Sequence, residues 1–348
     1  MNTSALLGIL FIAIGAFSSG SFAVPFGKIK GWQWETYWMV FSLGAYILFP
    51  LTACLVFAPD FISIIKSTPN SALITVFLLG AVYGVGNLSF GLALRYLGLS
   101  LGYALSLGLM LAIGTLIPPM LDGRLQIMIQ GKGGTLLISG VIVACLGIAV
   151  SAWSGIIKDK SVSNAKKQES IGEYNLMKGI MAAILVGFTG SAMSLGFEQG
   201  LPISEMAAKQ GVDPLFTMMP VLVVLFAGTF VTTIVWCVAY LGVKNNSLRD
   251  YSTAESPKVL SANYLFGLLA GLLWFGQFIV YGMGKSKMGP FTFTSWGILM
   301  ALTIVFATVW GLFRKEWKGT PTKVYILMIL SLIIIIASSF MIGISGSE

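Results

Sequence analysis

Histidine is absent from this chain, and its absence excludes histidine acid–base catalysis, histidine metal ligation and a histidine proton relay. Charge is also scarce, because Asp, Glu, Lys and Arg make up only 10% of the residues, against about 25% in a typical soluble domain. Cys54, Cys145 and Cys237 all lie in apolar stretches. They indicate small core residues and no disulfide framework.

The sequence also lacks a phosphate-binding loop of the G-x4-G-K-[ST] type and any acidic magnesium motif. We therefore expect no cofactor, no bound metal, no ATPase subunit and no enzymatic activity. The net charge of +8 does not indicate a nucleic-acid partner. The basic residues stand in short loops between apolar stretches, which is the pattern that membrane orientation requires.

Apolar residues are abundant and account for 56% of the chain. Each stretch free of Asp, Glu, Lys and Arg approaches or exceeds the ~20 residues that cross a bilayer as a helix. These stretches, numbered here as spans 1 to 10, are 1–27, 36–59, 67–94, 96–121, 133–157, 179–197, 214–243, 259–284, 288–313 and 324–347. The sequence thus predicts an all-α polytopic membrane protein with ten transmembrane helices in a lipid bilayer.

The longest polar segment divides these spans into two groups of five. This cytoplasmic connector, 158–178, separates a first repeat, 1–157, from a second repeat, 179–348. An odd number of spans per half gives the halves opposite orientation, which is the condition for an inverted repeat. Most of the 21 Lys and Arg residues follow odd-numbered spans. The positive-inside rule then places those loops in the cytoplasm and both termini outside, in the periplasm.

Two amide side chains interrupt apolar spans, Asn87 in span 3 and Gln277 in span 8. A buried amide is costly unless it is hydrogen-bonded, so each should bond another helix or a polar ligand. Trp274, Gln277 and Tyr281 lie on one helix face. Rings that stack on C–H groups and amides that bond hydroxyls are what a sugar site needs. Helix packing is the alternative interpretation.

Matching places in the two halves add further candidates. Thr292 and Trp296 open span 9, and Tyr103 lies in the corresponding part of span 4. In an inverted repeat, spans 3, 4, 8 and 9 would meet at the pseudo-two-fold axis, where substrates usually bind. We expect five residues to converge near the midplane of the bilayer, namely Asn87, Trp274, Gln277, Tyr281 and Trp296. Tyr103 and Thr292 are further substrate-binding candidates.

Small residues recur at a spacing of four in spans 3 and 4. Gly80 and Gly84 form one such pair, and Gly98 and Gly102 form another. Such pairs place small residues on one helix face and let neighbouring helices approach closely. We expect both pairs to serve helix packing, although helices that move against each other would need the same residues.

Two carboxylates near span ends are the remaining intramembrane candidates for a group that changes protonation. Glu35 begins span 2, where a helix N-terminus would also stabilise it, and Glu198 ends span 6, where it could simply be interfacial. Proton coupling and an ordinary interfacial role are both open for each residue.

Several short motifs follow one another along nearly the whole chain. They are Pro25-Phe-Gly-Lys-Ile-Lys with Trp32-Gln-Trp-Glu-Thr36, Gly84-x-Gly-Asn87 running to Arg95-Tyr-Leu-Gly-Leu-Ser100, Gly114-Thr115, Gly211-Val-Asp-Pro-Leu215, Trp274-x-x-Gln277, Ser295-Trp296 and Lys315-Glu-Trp317. This set resembles the L-rhamnose–proton symporters of the drug/metabolite transporter superfamily. The resemblance implies two inverted five-helix halves and cotransport of a 6-deoxyhexose with H⁺ across the bacterial inner membrane.

The resemblance also bears on the proton. It favours Glu35, which lies inside the Trp-x-Trp-Glu-Thr piece, over Glu198. The family pattern has an acidic residue near the start of span 9, where this chain has Thr292 and Thr294, so Glu198 is a possible substitute. We predict secondary active import of L-rhamnose or a related 6-deoxyhexose by symport with H⁺. The alternative is an exporter, an exchanger or a Na⁺-coupled transporter of another small metabolite or sugar.

Overall fold

A computed structural model of the chain describes residues 3–121, 134–163, 173–288 and 295–345, together with Gly123, Gln126, Ala165 and Ile171. These residues form helices and no strand. The helices are α1 (Thr3–Ser21), α2 (Trp34–Phe57), α3 (Phe61–Ser67), α4 (Asn70–Leu121), α5 (Gly134–Ser161), α6 (Leu176–Gly190), α7 (Ala192–Gln199), α8 (Leu201–Lys209), α9 (Met219–Gly242), α10 (Pro257–Lys287), α11 (Ser295–Phe313) and α12 (Thr322–Ser345). The predicted all-helical class is confirmed for the described part of the chain.

Eight described segments are long and apolar enough to cross a membrane, judged by length and composition. They are Leu6–Lys28, Trp34–Phe57, Asn70–Ile113, Gly134–Ser161, Leu176–Lys209, Met219–Gly242, Pro257–Lys287 and Thr322–Ile342. A shorter apolar helix, Ile298–Phe313, forms most of α11. Helices satisfy their own backbone hydrogen bonds, which is what apolar segments in lipid require. The chain is therefore an integral membrane protein.

Helix α4 is broken at Gly98, where the backbone has φ +79° and ψ −178°. This conformation is essentially restricted to glycine. The sequence prediction that Arg95 alone separates spans 3 and 4 is therefore inaccurate, because the helix passes through Arg95 and breaks at Gly98. The predicted packing face of Gly98 and Gly102 is wrong for the same reason, since the two glycines do not share one continuous helix.

Two helices change their winding partway along. In α2 the segment Gly44–Leu48 is π-helical, and in α9 the segment Val235–Gly242 is π-helical. A π-helical turn widens the helix locally and is frequent at functional sites. Helices α2 and α9 correspond to predicted spans 2 and 7, which hold matching places in the two halves of the sequence.

The described chain divides into two compact units. Unit 1 comprises Met1–Gly20, Gly86–Ser191 and Met283–Glu348, and unit 2 comprises Ser21–Val85 and Ala192–Gly282. In unit 1 the buried core runs along α4 through Leu97, Leu101 and Leu105 and includes Trp317. Each unit therefore draws its helices from both halves of the sequence.

Close helix contacts in unit 2 depend on glycine. A Cβ added to Gly80 would clash with the backbone of Leu225, and one added to Gly84 would lie 2.7 Å from Thr232. The hydroxyl of Thr229 donates to the backbone carbonyl of Gly80 at 2.9 Å. The prediction that Gly80 and Gly84 form a helix-packing face is confirmed, and α9 is the helix that packs against it.

The predicted connector 158–178 begins inside a helix. Helix α5 continues through Lys158 to Ser161, and the Lys158 side chain is buried. Much of the rest of the connector lies outside the described residues. The charge of Lys158 predicts the end of span 5, because a charge usually marks a membrane border. Here, however, the ammonium group lies against two aromatic rings, those of Trp317 and Tyr174.

Candidate functional site

Trp274, the predicted sugar-stacking residue, is the centre of an aromatic cluster in unit 2. Its ring centroid lies 5.2 Å from that of Tyr46, 5.3 Å from that of Phe226 and 5.3 Å from that of Phe278. The side chain is only 5% exposed. Helices α2, α9 and α10 thus supply rings to one cluster, in the edge-to-face and tilted geometries that aromatic pairs prefer.

Gln277 lies one turn after Trp274 on α10 and is buried. Its Nε2 donates to the backbone carbonyl of Trp274 at 2.8 Å. The sequence predicts that Gln277 bonds another helix or a polar ligand, whereas this hydrogen bond stays within α10. Tyr281, one further turn along, is half-buried. The shared face of these three residues therefore belongs to unit 2, where Trp274 and Gln277 are buried and Tyr281 is partly exposed.

Helix α2 adds two buried polar groups that the motifs did not indicate. Trp38 Nε1 and Ser42 Oγ are buried and have no hydrogen-bond partner among the described residues. The Trp38 ring stacks on Trp34 with centroids 5.2 Å apart and an interplanar angle of 17°. The signal that could have found them is spacing, because Trp34, Trp38 and Ser42 are four residues apart on one helix face.

The two groups on α2 adjoin the Trp274 cluster. Phe41 lies 4.9 Å from the Trp38 ring and 6.2 Å from the Trp274 ring, measured between centroids. An unpaired buried donor costs free energy unless a ligand or water satisfies it. Unit 2 therefore combines aromatic surface with two available hydrogen-bonding groups, which is the chemistry of a carbohydrate site.

Unit 1 contains Asn87 and Tyr103. Asn87 is 2% exposed, and its Oδ1 accepts no hydrogen bond from the described residues. The Tyr103 hydroxyl donates to the backbone carbonyl of Ser19 at 2.7 Å, and its ring contacts Phe90 with centroids 5.1 Å apart. Asn87 is thus a candidate for ligand binding, while the hydroxyl of Tyr103 already bonds the protein.

Two predicted site residues lie near the gap between the described ranges 173–288 and 295–345. Thr292 lies outside the described residues, and so does the side chain of Trp296, although its backbone belongs to α11. The predicted convergence of the seven substrate-binding candidates stays a prediction.

Glu35, the favoured proton-coupling residue, is buried at the start of α2, with 2% of its surface exposed. Its Oε1 accepts hydrogen bonds from Asn245 Nδ2 and from Ser247 Oγ, each at 2.8 Å. Both of these described partners are neutral. The carboxylate is therefore held by uncharged hydrogen-bond donors.

The same loop is tied to α2 a second time. Asp250 Oδ2 accepts the backbone N–H of Gln33 and the hydroxyl of Thr36, both at 3.0 Å. Asp250 thus satisfies donors at the N-terminus of α2, where intrahelical acceptors are missing. The loop after α9 and the start of α2 form one hydrogen-bonded assembly around Glu35.

Glu198, the other proton-coupling candidate, lies near the end of α7 in unit 2 and is partly exposed. Glu35, by contrast, is 2% exposed and accepts hydrogen bonds from Asn245 and Ser247. Burial thus distinguishes the two candidates.

Comparison with known proteins extends over the whole chain. The family model described as L-rhamnose-proton symport protein (RhaT) matches residues 1–347. A protein of Yersinia pestis (strain Pestoides F) that is named L-rhamnose-proton symporter is similar to this chain, with 34% identity over 97% of this chain and 98% of the relative. One in Citrobacter koseri has 33% identity over 99% of this chain and 98% of the relative. No solved structure matches the chain.

The names of those relatives agree with three features of the described residues. These are eight apolar spans, a buried carboxylate that accepts hydrogen bonds from neutral groups, and an aromatic cluster beside side chains without a hydrogen-bond partner. The match leaves out only the last residue of the sequence. The chain belongs to the L-rhamnose-proton symport protein family.

Proposed function

We propose that this chain imports L-rhamnose, or a closely related 6-deoxyhexose, across the bacterial inner membrane by symport with H⁺. The observation that carries the proposal is the family match over residues 1–347, together with relatives of that name at 34% and 33% identity. The chemistry of the chain agrees, because it offers membrane spans and no nucleotide-binding loop to drive transport.

The sugar site is proposed to use Asn87, Trp274, Gln277, Tyr281, Tyr103, Thr292 and Trp296, with Trp38 and Ser42 added. The aromatic cluster around Trp274 supports ring stacking against the C–H face of the sugar. The unpaired Trp38 Nε1, Ser42 Oγ and Asn87 Oδ1 support hydroxyl recognition. The 6-methyl group of a deoxyhexose suits an aromatic wall better than a hydroxymethyl group does, since it requires no hydrogen bond.

Glu35 is the proposed proton carrier, with Glu198 as the alternative. A carrier must exist in both protonation states without unfolding its surroundings. Asn245 and Ser247 donate to Glu35 but add no positive charge, so protonation leaves no buried cation unpaired. The position of Glu35 at the start of a helix that carries a π-helical turn also supports a part in motion.

We propose ten membrane helices, which adds two to the eight spans. In this proposal the 44-residue segment Asn70–Ile113, with its break at Gly98, counts as two spans, and Ile298–Phe313 is the tenth. We propose that residues 1–157 and 179–348 are inverted repeats joined by 158–178. In support, unit 1 contains predicted spans 4, 5, 9 and 10, and unit 2 contains predicted spans 2, 7 and most of 8, so that corresponding spans share a unit.

Contacts within each unit support one common side for the loops that follow odd-numbered spans. The proposal that this side is the cytoplasm, with both termini in the periplasm, rests on the distribution of Lys and Arg. In unit 1, Arg95 after span 3 pairs with Glu173 in the connector at 2.6 Å. In unit 2, Lys30 after span 1 and Asn263 near the start of α10 exchange two backbone–side-chain hydrogen bonds. Loops that follow odd-numbered spans thus meet one another, as they must if they share one side of the membrane.

A binding panel tests the proposed substrate. Purified protein is heated with L-rhamnose, L-fucose, L-mannose or D-glucose, and the midpoint of thermal unfolding is recorded, because a ligand that binds the native state stabilises it by mass action. We expect the largest shift with one of the two 6-deoxyhexoses, L-rhamnose or L-fucose. Equal shifts with D-glucose, or a shift with none of the four in correctly folded protein, would overturn the assignment and favour another metabolite.

A further inference from the structure

A second buried carboxylate lies in unit 1, far from Glu35 in sequence. Glu316 follows α11 and is 5% exposed. Its Oε1 accepts the backbone N–H of Leu99 at 2.9 Å, and its Oε2 accepts that of Ser100 at 3.2 Å. These are the first amides after the break at Gly98, and no carbonyl of their own helix can serve them. Glu316 therefore holds the amino end of the second part of α4.

The backbone is shaped around this contact. Gly98 adopts a conformation open only to glycine, and a Cβ there would lie 2.7 Å from Glu316 Oε2. A Cβ on Gly311 would lie at the same distance from the same oxygen. Lys315, directly before Glu316, has φ +59°, which is uncommon for a residue with a side chain. Two glycines and one strained residue thus make room for the carboxylate and turn it towards α4.

The charged surroundings of Glu316 come from two elements. Lys158, buried on α5, and Arg314, on the same turn as Glu316, both favour the ionised form. The Lys158 ammonium group lies 4.7 Å from the centroid of the Trp317 ring and 5.2 Å from that of the Tyr174 ring. Burial opposes these influences and outweighs them, so the pKa of Glu316 is raised above its ordinary value.

An ordinary helix cap is a short polar side chain next to the helix in sequence. Here the cap is a glutamate more than 200 positions away, with sequence separations of 217 and 216 to its two donors. An ionised carboxylate accepts such bonds much more strongly than a neutral carboxyl group does. The hold on the helix therefore depends on whether Glu316 carries a proton.

We propose that Glu316 is a second proton-binding site, at which protonation loosens and deprotonation fastens the amino end of the helix that begins at Leu99, while the carboxyl group itself stays buried in both states. The proton passes from water to a carboxylate oxygen of Glu316 and returns to water, with no other group changed. As a part of the transport cycle this rests on the proposed proton symport. Under the proposed orientation the site lies on the cytoplasmic side, where release of the proton would restore the hold on Leu99 and Ser100.

Amide hydrogen exchange tests the site directly. Exchange is followed by mass spectrometry in wild-type protein in nanodiscs across pH 5 to 9, and the rates for residues 99 and 100 are divided by their intrinsic rates. We expect protection to fall as the pH is lowered. In Glu316→Gln, a near-isosteric change that keeps one acceptor, protection should not vary with pH. The exposed Glu255→Gln is the matched control and should behave as wild type.

A second variant does not depend on changing Glu316. Lys158→Met removes a cation that favours the ionised form, so the midpoint of the protection change should move to higher pH. Protection of residues 99 and 100 that is the same at every pH in wild-type protein overturns the site. A midpoint unmoved in folded Lys158→Met contradicts the assignment to Glu316.

Transport separates this inference from the proposed function. Sugar counterflow is measured at equal pH on both sides, from pH 5.5 to 8.5. We expect the same pH profile in wild type and in Glu255→Gln, and a profile in Glu316→Gln that lacks the part set by Glu316 but keeps the part set by Glu35. A pH response of protection with identical transport profiles in wild type and Glu316→Gln overturns the link to transport. A pH response of protection in a protein that moves no L-rhamnose supports the site and counts against the proposed function alone.

Discussion

Ser247 donates its hydroxyl to the buried carboxylate of Glu35 across 2.8 Å, which joins the loop after α9 to the first turn of α2. The two residues are 212 positions apart in sequence, so the contact links parts of the chain that lie in different halves. Ser247 is neutral, so the hydrogen bond joins the loop to the helix without an ion pair.

Removing the charge of Glu35 should uncouple the proton from the sugar. Glu35→Gln keeps an oxygen that can accept from Asn245 and Ser247, so the fold should be retained. We expect loss of pH-driven accumulation of L-rhamnose, with counterflow exchange of the sugar still measurable in proteoliposomes. Glu198→Gln tests the alternative carrier, and Glu205→Gln, exposed on α8, is the control. Normal accumulation in both Glu35→Gln and Glu198→Gln would mean that neither residue carries the proton.

Trp38 should contribute a hydrogen bond to the sugar. Trp38→Phe keeps an aromatic ring in the cluster but removes the unpaired Nε1 donor. Loss of one such bond costs about 1–3 kcal/mol, which corresponds to roughly tenfold weaker binding. The control is Trp236→Phe, since Trp236 is 41% exposed in the same unit. Equilibrium binding of labelled L-rhamnose measures both, and equal affinities for the two variants would remove Trp38 from the site.

Gln277 should matter for binding more than for folding. Its described hydrogen bond runs to its own helix at 2.8 Å, and the α10 backbone does not need that bond to stay helical. Gln277→Ala should therefore insert normally yet bind L-rhamnose about tenfold more weakly, because a buried amide partner is worth ~1–3 kcal/mol. Gln199→Ala, at an exposed position, is the matched control. Unchanged affinity in Gln277→Ala would remove this residue from the proposed site.

The pH dependence of stability should report the burial of Glu316. Its pKa is raised in the folded protein, so the native state binds the proton more tightly than the unfolded state does. The contribution to stability is complete below the unfolded-state pKa and is lost as the pH rises through the folded-state pKa. Relative to Glu316→Gln, wild-type protein should therefore lose stability as the pH rises. Thermal unfolding in detergent checks this, and a difference that grows with pH contradicts the assigned direction.

Gly98 should tolerate alanine far less than another glycine of positive φ. Gly98→Ala adds both backbone strain and a clash with the Glu316 carboxylate, whereas Gly211, with φ +84°, has no heavy atom within 4 Å of an added Cβ. Strain of this kind costs about 1–3 kcal/mol in each variant. The additional loss in Gly98→Ala measures the clash, and equal losses in the two variants would argue against the tight fit around Glu316.

Sequence patterns anticipated the elements of this protein better than the contacts between them. Apolar stretches predict helices reliably because lipid leaves the backbone no other partner. The charge of Arg95 predicts a span end at that residue, whereas the helix breaks three residues later, at Gly98. The partner that accompanies the break is Glu316, more than 200 residues away, and no local pattern carries that information.

The same limit applies to the candidate site. Trp274 and Gln277 were found because an amide and a ring in an apolar span are conspicuous. Trp38 and Ser42 were missed, since tryptophan and serine near a span end have many ordinary roles. Only their burial without a described hydrogen-bond partner distinguishes them, and burial depends on tertiary packing. The predicted partner of Gln277 on another helix or a ligand is wrong for Nε2, because the backbone carbonyl of Trp274, three residues earlier on the same helix, accepts that bond.

Uptake of labelled L-rhamnose into proteoliposomes tests the central claim most directly. With the outside at pH 6 and the inside at pH 7.5, the account predicts accumulation above the external concentration, and a protonophore should reduce it to simple equilibration. A Na⁺ gradient at equal pH should produce no accumulation. Absence of uptake under every ion gradient in correctly inserted protein, or accumulation that follows Na⁺ and ignores pH, would contradict proton-coupled L-rhamnose import.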